Sequence, residues 1–314
     1  MKLVVVIPAY NEEKTIGKVL KNIPKKLRKI EKVETIVIDD GSTDKTKEIA
    51  KKFKAIVISN GKNLGLGKTF RKGINEALKR KADIIVTIDA DGQFDAEDIP
   101  KLIKPILRNE ADMVTASRFL KDSECNIPLI KKMGNKFFTK LINLLTKSNF
   151  TDTQCGFRAY SREAALNLNL FGNYTYTQEV FLDLLNKGFR IKEIPVKVVY
   201  SKKRKSRLVK SLASYGFNAL AIITRTVRDH NPLKFFGIPG IFIFSIGFAS
   251  GLFMVFWYIT HRATKPFTSL ITFSSAMLTL GFLLIILAFM ADMFNRIRMI
   301  QEEILVKIKR KWLS

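Results

Sequence analysis

Cysteine, histidine and tryptophan are nearly missing from this chain, with two of each in 314 residues. Cys125 and Cys155 show no paired spacing. The sequence therefore offers no disulfide framework, and a cytosol-facing domain is the simpler expectation. His230 and His261 both lie near apolar C-terminal stretches. A histidine-built metal centre is thereby disfavoured, and any metal has to be held by oxygen ligands. Acidic residues are also scarce: 28 Asp and Glu stand against 54 Lys and Arg, a formal net charge of +26. Such an imbalance draws a protein to nucleic acid, acidic membrane surfaces or phosphorylated substrates. The lysines scattered over residues 14–81 fit a solvated surface equally well. A signal-peptide pattern is lacking too: the apolar run at residues 3–7 is short, stops at Pro8 and has no small-residue cleavage pattern behind it. It reads as a buried strand. Internal repeats and low-complexity linkers are not seen.

Up to about residue 200, short apolar runs alternate with amphipathic stretches. The runs fall at residues 3–7, 35–38, 55–58, 84–88 and 112–116, and helical segments are predicted near 12–30, 44–53, 67–79 and 96–107. The alternation predicts an α/β fold with a mostly parallel sheet covered on both faces. In such sheets ligands bind outside the carboxyl ends of the strands. The polar motifs sit just there.

Pro8 ends the first run, and Tyr10, Asn11 and Glu12 follow. Asn11 can cap the next helix. Tyr10 offers a flat ring, and Glu12 an acceptor, for a nucleotide base and ribose. After the second run come Asp39-Asp40-Gly41-Ser42-Thr43-Asp44. Capping accounts for Ser42 or Thr43, but not for two adjacent carboxylates at a strand end. An acid there can accept from a ribose hydroxyl or a base N–H. Asn63-Leu64-Gly65-Leu66-Gly67-Lys68 is glycine-rich but lacks the Walker pattern, and no G-x-G-x-x-G follows the first run. Both points argue against a P-loop nucleotidase and a dehydrogenase.

The most informative motif is Asp89-Ala90-Asp91-Gly92-Gln93, directly after the fourth run. In an extended or turning backbone Asp89 and Asp91 can share one hard divalent cation, Mg²⁺ or Mn²⁺, which also takes substrate phosphates. Such a cation stabilises the charge that builds on a departing diphosphate. A lone D-x-D is common; its place at a strand end gives it weight. Arg118, after the fifth run, can pair bidentately with a phosphate or stand as an exposed loop cation. Thr151-Asp152-Thr153-Gln154-Cys155-Gly156-Phe157-Arg158 suits sugar hydroxyls, through Gln154 for example, or forms a capped turn. Cys155 reads as a small packing residue. Gln178 and Glu179 open another amphipathic helix and can face the site from its first turn, where the helix dipole also favours Glu179. Asp183, one turn on, reads as structural.

Beyond residue 200 the character changes. Residues 202–234 carry nine Lys or Arg and one Asp. Within them Lys202-Lys203-Arg204-Lys205-Ser206-Arg207 can grip a pyrophosphate, an acceptor phosphate or lipid headgroups. Few aromatics interleave these basic residues, which argues against nucleic acid. Two uncharged stretches follow, 235–259 and 267–291, of 25 residues each. Both exceed the roughly 20 residues needed to cross a bilayer core. Their flanks are richer in Lys and Arg than the loop that holds Arg262 and Lys265, so both termini and the catalytic domain are expected in the cytoplasm of a two-span membrane protein. Trp257 and Tyr258 fit an interfacial belt. The expected layout is a catalytic domain over 1–207, basic interfacial helices over 208–234, two transmembrane helices over 235–294 and a basic tail over 295–314.

In order, Val4-Val5-Val6-Ile7-Pro8-Ala9-Tyr10-Asn11-Glu12, Ile38-Asp39-Asp40-Gly41-Ser42, Asn63-x-Gly65, Asp89-Ala90-Asp91-Gly92-Gln93 and Gly156-Phe157 resemble glycosyltransferase family 2, which has the GT-A fold. The resemblance covers residues 1 to about 207. Within the family the chain is similar to the synthases that load mannose or glucose onto dolichyl phosphate. The resemblance implies that Pro8, Tyr10, Glu12 and Asp40 hold the nucleoside, and that Asp89, Ala90 and Asp91 line the donor. Asp89, Asp91 and Gln93 would hold the metal and diphosphate. Arg118, Arg204 and Arg207 would contact phosphates, with Ser206 beside them on the acceptor side; Gln154, Gln178 and Glu179 are the candidates for sugar or acceptor. The Q-x-x-R-W motif of the family's processive members is missing around Trp257 and Trp312, which favours transfer of a single sugar. The implied activity is metal-dependent, inverting transfer from a GDP-mannose or UDP-glucose type donor to a polyprenyl phosphate at the cytoplasmic membrane face. Two alternatives stand beside it. One is a lipid or glycan hydroxyl acceptor, with Glu179 or Asp152 as base. The other is a non-catalytic membrane adaptor, against which the intact Asp89, Asp91 and Gln93 speak.

Overall fold

The computed structural model describes residues 1–120, 129–170, 176–198, 220–221, 224–225, 227–229 and 231–313. The chain divides into two compact units, Met1–Ile223 with Leu305–Ser314, and Thr224–Ile304. Among the described residues of the first unit, seven strands form one sheet: β1 (Lys2–Ala9), β2 (Lys32–Asp39), β3 (Ile56–Ser59), β4 (Ile84–Thr87), β5 (Met113–Ser117), β6 (Arg158–Ser161) and β7 (Ile191–Pro195). Their order is β3-β2-β1-β4-β6-β5-β7. Every pairing is parallel except those of β6, which runs antiparallel to β4 and β5. The β-branched runs explain the central strands. Leu3, Val4, Val5, Val6 and Ile7 are all fully buried, so both faces of β1 are covered. Each such side chain contributes roughly 1.5–3 kcal/mol on burial.

Among the described residues this unit also holds helices α1 (Ile16–Lys21), α2 (Thr46–Lys52), α3 (Leu66–Lys79), α4 (Ile99–Leu107), α5 (Leu129–Thr146), α6 (Arg162–Asn167) and α7 (Thr177–Asn186). Phe70, Ile74, Ala77 and Leu78 give α3 a buried stripe at helical spacing. Gly73 lets that helix lie against the sheet, since a Cβ there would collide with Val6 Cγ1. The first helix is much shorter than the predicted 12–30. Asn11 has φ +53° and its Oδ1 accepts from Thr43 N at 2.8 Å, so it ties two loops together instead of capping α1. The final turns of the chain group with this unit, and Lys309 Nζ donates to the carbonyls of Leu166 and Leu168 at the end of α6.

The second unit holds α8 (Ile238–His261) and most of α9 (Thr268–Leu313). Both helices are long and apolar enough to cross a membrane. At 1.5 Å per residue α8 is about 36 Å long, more than the roughly 30 Å of a bilayer core. The apolar part of α9 ends at Ala291, and Asp292, Arg296 and Arg298 follow. Phe242, Phe256 and Phe289 are each 66% exposed, which the core helices of a water-soluble domain would not tolerate together. The two helices meet through glycine. A Cβ on Gly247 would stand 2.6 Å from Leu278 N, and one on Gly281 2.5 Å from Phe244 N. Ser274 Oγ donates to Gly247 O at 2.7 Å. Small residues and a hydroxyl at the contact are how apolar helices pack where no water drives them together. The expected interfacial segment 208–234 lies largely outside the described residues.

Candidate active site

Three loops leave the carboxyl ends of β1, β2 and β4, and the first two are stitched together. Asn11 N donates to Ser42 Oγ, Glu12 N to Thr46 Oγ1 and Glu13 N to Asp44 Oδ2. Asp39 is fully buried; it accepts from Ser42 N at 3.1 Å and from Ser59 Oγ at 2.8 Å. Asp40 accepts from Asn60 Nδ2, Leu64 N and Gly65 N, at 2.8, 2.9 and 3.0 Å. The two strand-end acids thus have separate tasks: Asp39 fixes its own turn, and Asp40 shapes the glycine-rich loop. Gly41 makes the close approach possible. Its φ is +79°, and a Cβ would lie 2.5 Å from the backbone of Lys62. Pro8 is buried in β1, the Tyr10 ring is exposed, and Glu12 accepts from Thr15 Oγ1 at 3.0 Å.

After β4 the backbone turns sharply. Gly92 has φ +70°, and Gln93 N donates to Asp91 Oδ1 at 3.0 Å. Ala90 is buried and belongs to the hydrophobic core, so it offers a ligand its backbone only. Asp89 packs against Gly156, where a Cβ would stand 2.9 Å from the carboxylate. Burial, then the charge of Asp91, with Glu12 adding to both, push the Asp89 carboxyl up to about 7; Arg118 and Arg158 oppose the shift. Those partners show what the fold gathers here: Glu12 from β1, Asp91 from β4, Arg118 from β5 and Arg158 from β6.

The arginines play supporting parts. Arg118 binds Asp152 in a two-pronged pair, Nε to Oδ2 at 2.6 Å and Nη2 to Oδ1 at 2.9 Å. Asn135 Nδ2 and Gln154 N also donate to Asp152 Oδ1. Burial alone would raise the Asp152 carboxyl, but Arg118 and Asn135 outweigh it and hold it below the usual range. Glu193 on β7 accepts from Thr151 N and Asp152 N, and burial raises its carboxyl. Arg158 is wholly buried; its Nη2 donates to the carbonyls of Thr153 and Thr177, and its guanidinium lies 4.9 Å from the Phe181 ring. Gln178 Nε2 donates to Gln154 Oε1 at 2.7 Å, so these two expected residues meet. Glu179 is buried in the first turn of α7, while Asp183 accepts from Asn169 N and pairs with Lys187. Arg204, Ser206 and Arg207 lie outside the described residues. Sequence reasoning missed Asn135, Arg158 and Glu193 as site-shaping groups. Only Arg158 carried any signal, as the last residue of the polar motif that begins at Thr151.

Asp89 and Asp91 present an all-oxygen donor set that suits a hard divalent cation. Among the described residues no group of three or more His, Cys, Asp or Glu gathers as a ready ligand cage. Two carboxylates with substrate phosphates and water are nonetheless the usual way of holding Mg²⁺. Burial first, and the neighbouring Asp91 charge second, disfavour the ionised Asp89, and a cation beside the pair would offset both.

The pattern described as "Glycosyl transferase family 2" matches residues 4–168, more than half of the chain. The chain belongs to glycosyl transferase family 2. It is a glycosyltransferase. A relative from Methanococcus voltae named UDP-N-acetylglucosamine–dolichyl-phosphate N-acetylglucosaminyltransferase is 34% identical, over 62% of this chain and 85% of its own. The dolichyl-phosphate hexose transferase of Haloferax volcanii is 31% identical, over 62% and 81%. Among solved structures, glucosyl-3-phosphoglycerate synthase from Mycobacterium tuberculosis, in complex with Mn²⁺, UDP and glucosyl-3-phosphoglycerate, superposes with a TM-score of 0.57. That match covers 73% of this chain and 79% of the other at 22% identity, and is a likeness of fold.

Proposed function

We propose that this family 2 glycosyltransferase moves one sugar from a nucleotide-sugar donor to a polyprenyl phosphate, with its catalytic unit and both termini on the cytoplasmic face of a membrane crossed twice. The observation that carries the reading is the carboxylate pair Asp89 and Asp91 at the end of β4, in a relative of enzymes named for dolichyl-phosphate acceptors. A divalent cation, when bound by Asp89 and Asp91 with Gln93 beside it, supplies Lewis-acid stabilisation of the departing diphosphate. Tyr10 and Glu12 take the base and ribose, Pro8 and the backbone of Ala90 line the donor, and Asp40 contributes through the loop it shapes. Arg118 holds Asp152 and lends positive charge to the carboxylate pair. Arg204 and Arg207 contact phosphates, with Ser206 beside them, and Gln154, Gln178 and Glu179 face the sugar and acceptor.

The acceptor phosphate oxygen attacks the anomeric carbon as the bond from that carbon to the diphosphate oxygen breaks. Inversion follows from the single displacement. A phosphate is already ionised at neutral pH, so no strong base is required. Asp152 supports this choice, because an acid held ionised by Arg118 is a poor proton acceptor. Positioning and charge stabilisation then do most of the work. The basic flanks of α8 and α9, against Arg262 and Lys265 between them, support the orientation. The test is to incubate membranes containing the full chain with labelled GDP-mannose, UDP-glucose and UDP-N-acetylglucosamine and to extract the lipids. A labelled, mild-acid-labile polyprenyl-phosphate sugar from one donor supports the reading. Label appearing only in products with hydroxyl-linked sugar, and lost on Glu179→Gln, would replace it.

A further inference from the structure

The far end of α6 is held by basic side chains from three other elements. With six residues this helix is too short to be stable by itself. Its last carbonyls need partners from outside. Lys187 on α7 donates to Asn167 O at 2.7 Å, and Arg71 on α3 to Leu170 O at 2.6 Å. Lys309, near the end of α9, donates to Leu166 O, Leu168 O and Asn169 Oδ1 at 3.2, 3.1 and 3.2 Å. Its neighbour Arg310 pairs with Glu163 in the first turn of α6. Val306, three residues before Lys309 and on the same helical face, is buried. A lysine against helix-end carbonyls is common. This one comes from 140 residues further along the chain, and it grips the residue that locks α7: Asn169 N donates to Asp183 Oδ2 at 3.0 Å. Lys187 rides on α7 and moves with it, so it cannot fix that helix against the rest.

We propose that Lys309 is a positioning residue for the acceptor side of the site: through Asn169 and Asp183 it fixes where the first turn of α7 stands, and with it Gln178 and Glu179. The inference rests on the reading above that these two side chains face the sugar and acceptor. Donor and cation are assigned to the loops after β1, β2 and β4, and the first two of those loops are tied by their own bonds. Loss of Lys309 is therefore felt at the acceptor and not at the donor. A displacement of about 1 Å is enough to cost about a hundredfold in rate. Lys309 stands on α9, a helix long and apolar enough to cross a membrane. The part of the site that meets the acceptor is thus braced by a residue of that same helix.

The test compares the full chain with its Lys309→Met and Lys309→Arg variants in vesicles that contain dolichyl phosphate. Lys309→Met is expected to lower kcat/KM for dolichyl phosphate about tenfold or more, while the donor KM and the Mn²⁺ affinity stay within about twofold. Lys309→Arg keeps a charged donor and should recover most of the loss. Hydrogen exchange is read beside the kinetics: the amides of α7 should exchange at least about fivefold faster in Lys309→Met, with those of β1 unchanged. Asn169→Ala cuts the same link from the other side and serves as the second variant should Lys309→Met not fold. Unchanged exchange in α7, or an equal loss at donor and acceptor, overturns the proposal. If dolichyl phosphate is no acceptor even for the unaltered chain, the acceptor reading fails; faster exchange in α7 then still supports the role of Lys309, and unchanged exchange still overturns it.

Discussion

In the first unit Asp39, Asp40, Asp152 and Arg158 are buried, each held by several donors or acceptors; in the second, Ser274 is the buried polar side chain among the described residues. Glycine follows the same division. Gly41 and Gly156 let polar groups approach one another, whereas Gly247 and Gly281 let two helix backbones approach with nothing polar at stake but one hydroxyl. The difference teaches what each unit is built for. One fixes charge at a strand edge, where unpaired polar groups cost most. The other turns its large apolar side chains outward, as suits a solvent without water.

The sharpest way to break this comparison is to remove charge from the strand edge alone. Asp91→Asn is expected to lower sugar transfer about a thousandfold or more, since a bound cation is worth several kcal/mol in the transition state. The melting of the hairpin should not change; transfer assays and thermal unfolding of the same preparation read both. Next in size is the buried pair. Asp152→Ala leaves Arg118 without its counter-ion and should cost about 3–5 kcal/mol. Arg118→Met with Asp152→Leu should cost clearly less than Asp152→Ala alone, measured by denaturant unfolding in detergent. Gly281→Leu should cost about 1–3 kcal/mol by overpacking the helix contact. It should leave nucleoside diphosphate affinity untouched, while Gly156→Ala, which presses on Asp89, should do the reverse.

Much of the first unit was legible in the sequence, because five strands announce themselves as β-branched runs that end at polar motifs. The parts that were not legible have physical reasons. Strand β6 reads Arg-Ala-Tyr-Ser and has no apolar run, yet Arg158 and Tyr160 are wholly buried in it; a cation sandwiched by carbonyls and an aromatic ring leaves no hydrophobic pattern. The first helix was overdrawn because its polar start is a loop locked to Ser42, Asp44 and Thr46, contacts about 30 residues away that periodicity cannot report. Arg118 looked like a phosphate ligand in the sequence; its partner Asp152 follows 34 residues later. The carboxylate pair was visible as D-x-D, but the glycine that cradles Asp89 is Gly156, far along the chain in the residues just ahead of β6.

Proton uptake sharpens the contrast further. The Asp89 carboxyl sits near 7 in the fold against an ordinary value of 3.8. Between about pH 4 and 7 the native state therefore binds the extra proton, and this group's contribution to stability falls as pH rises through that window. Cation binding needs the carboxylate, so it should release close to one proton below pH 7 and little above. Calorimetry in buffers of different ionisation enthalpy reads that release, which Asp89→Asn should remove. The smallest effect belongs to the surface. The Lys79–Glu76 pair, 2.8 Å apart on an exposed face of α3, should contribute no more than about 0.5 kcal/mol, as a double-mutant cycle would show.

Binding of Mn²⁺ to the full chain, followed by electron paramagnetic resonance with and without a nucleoside diphosphate, tests the strand-edge carboxylates most directly. The expected result is one saturable ion whose affinity rises when the diphosphate is added, and which is lost in both Asp89→Asn and Asp91→Asn. Undiminished binding in those two variants, with the diphosphate present, would contradict it.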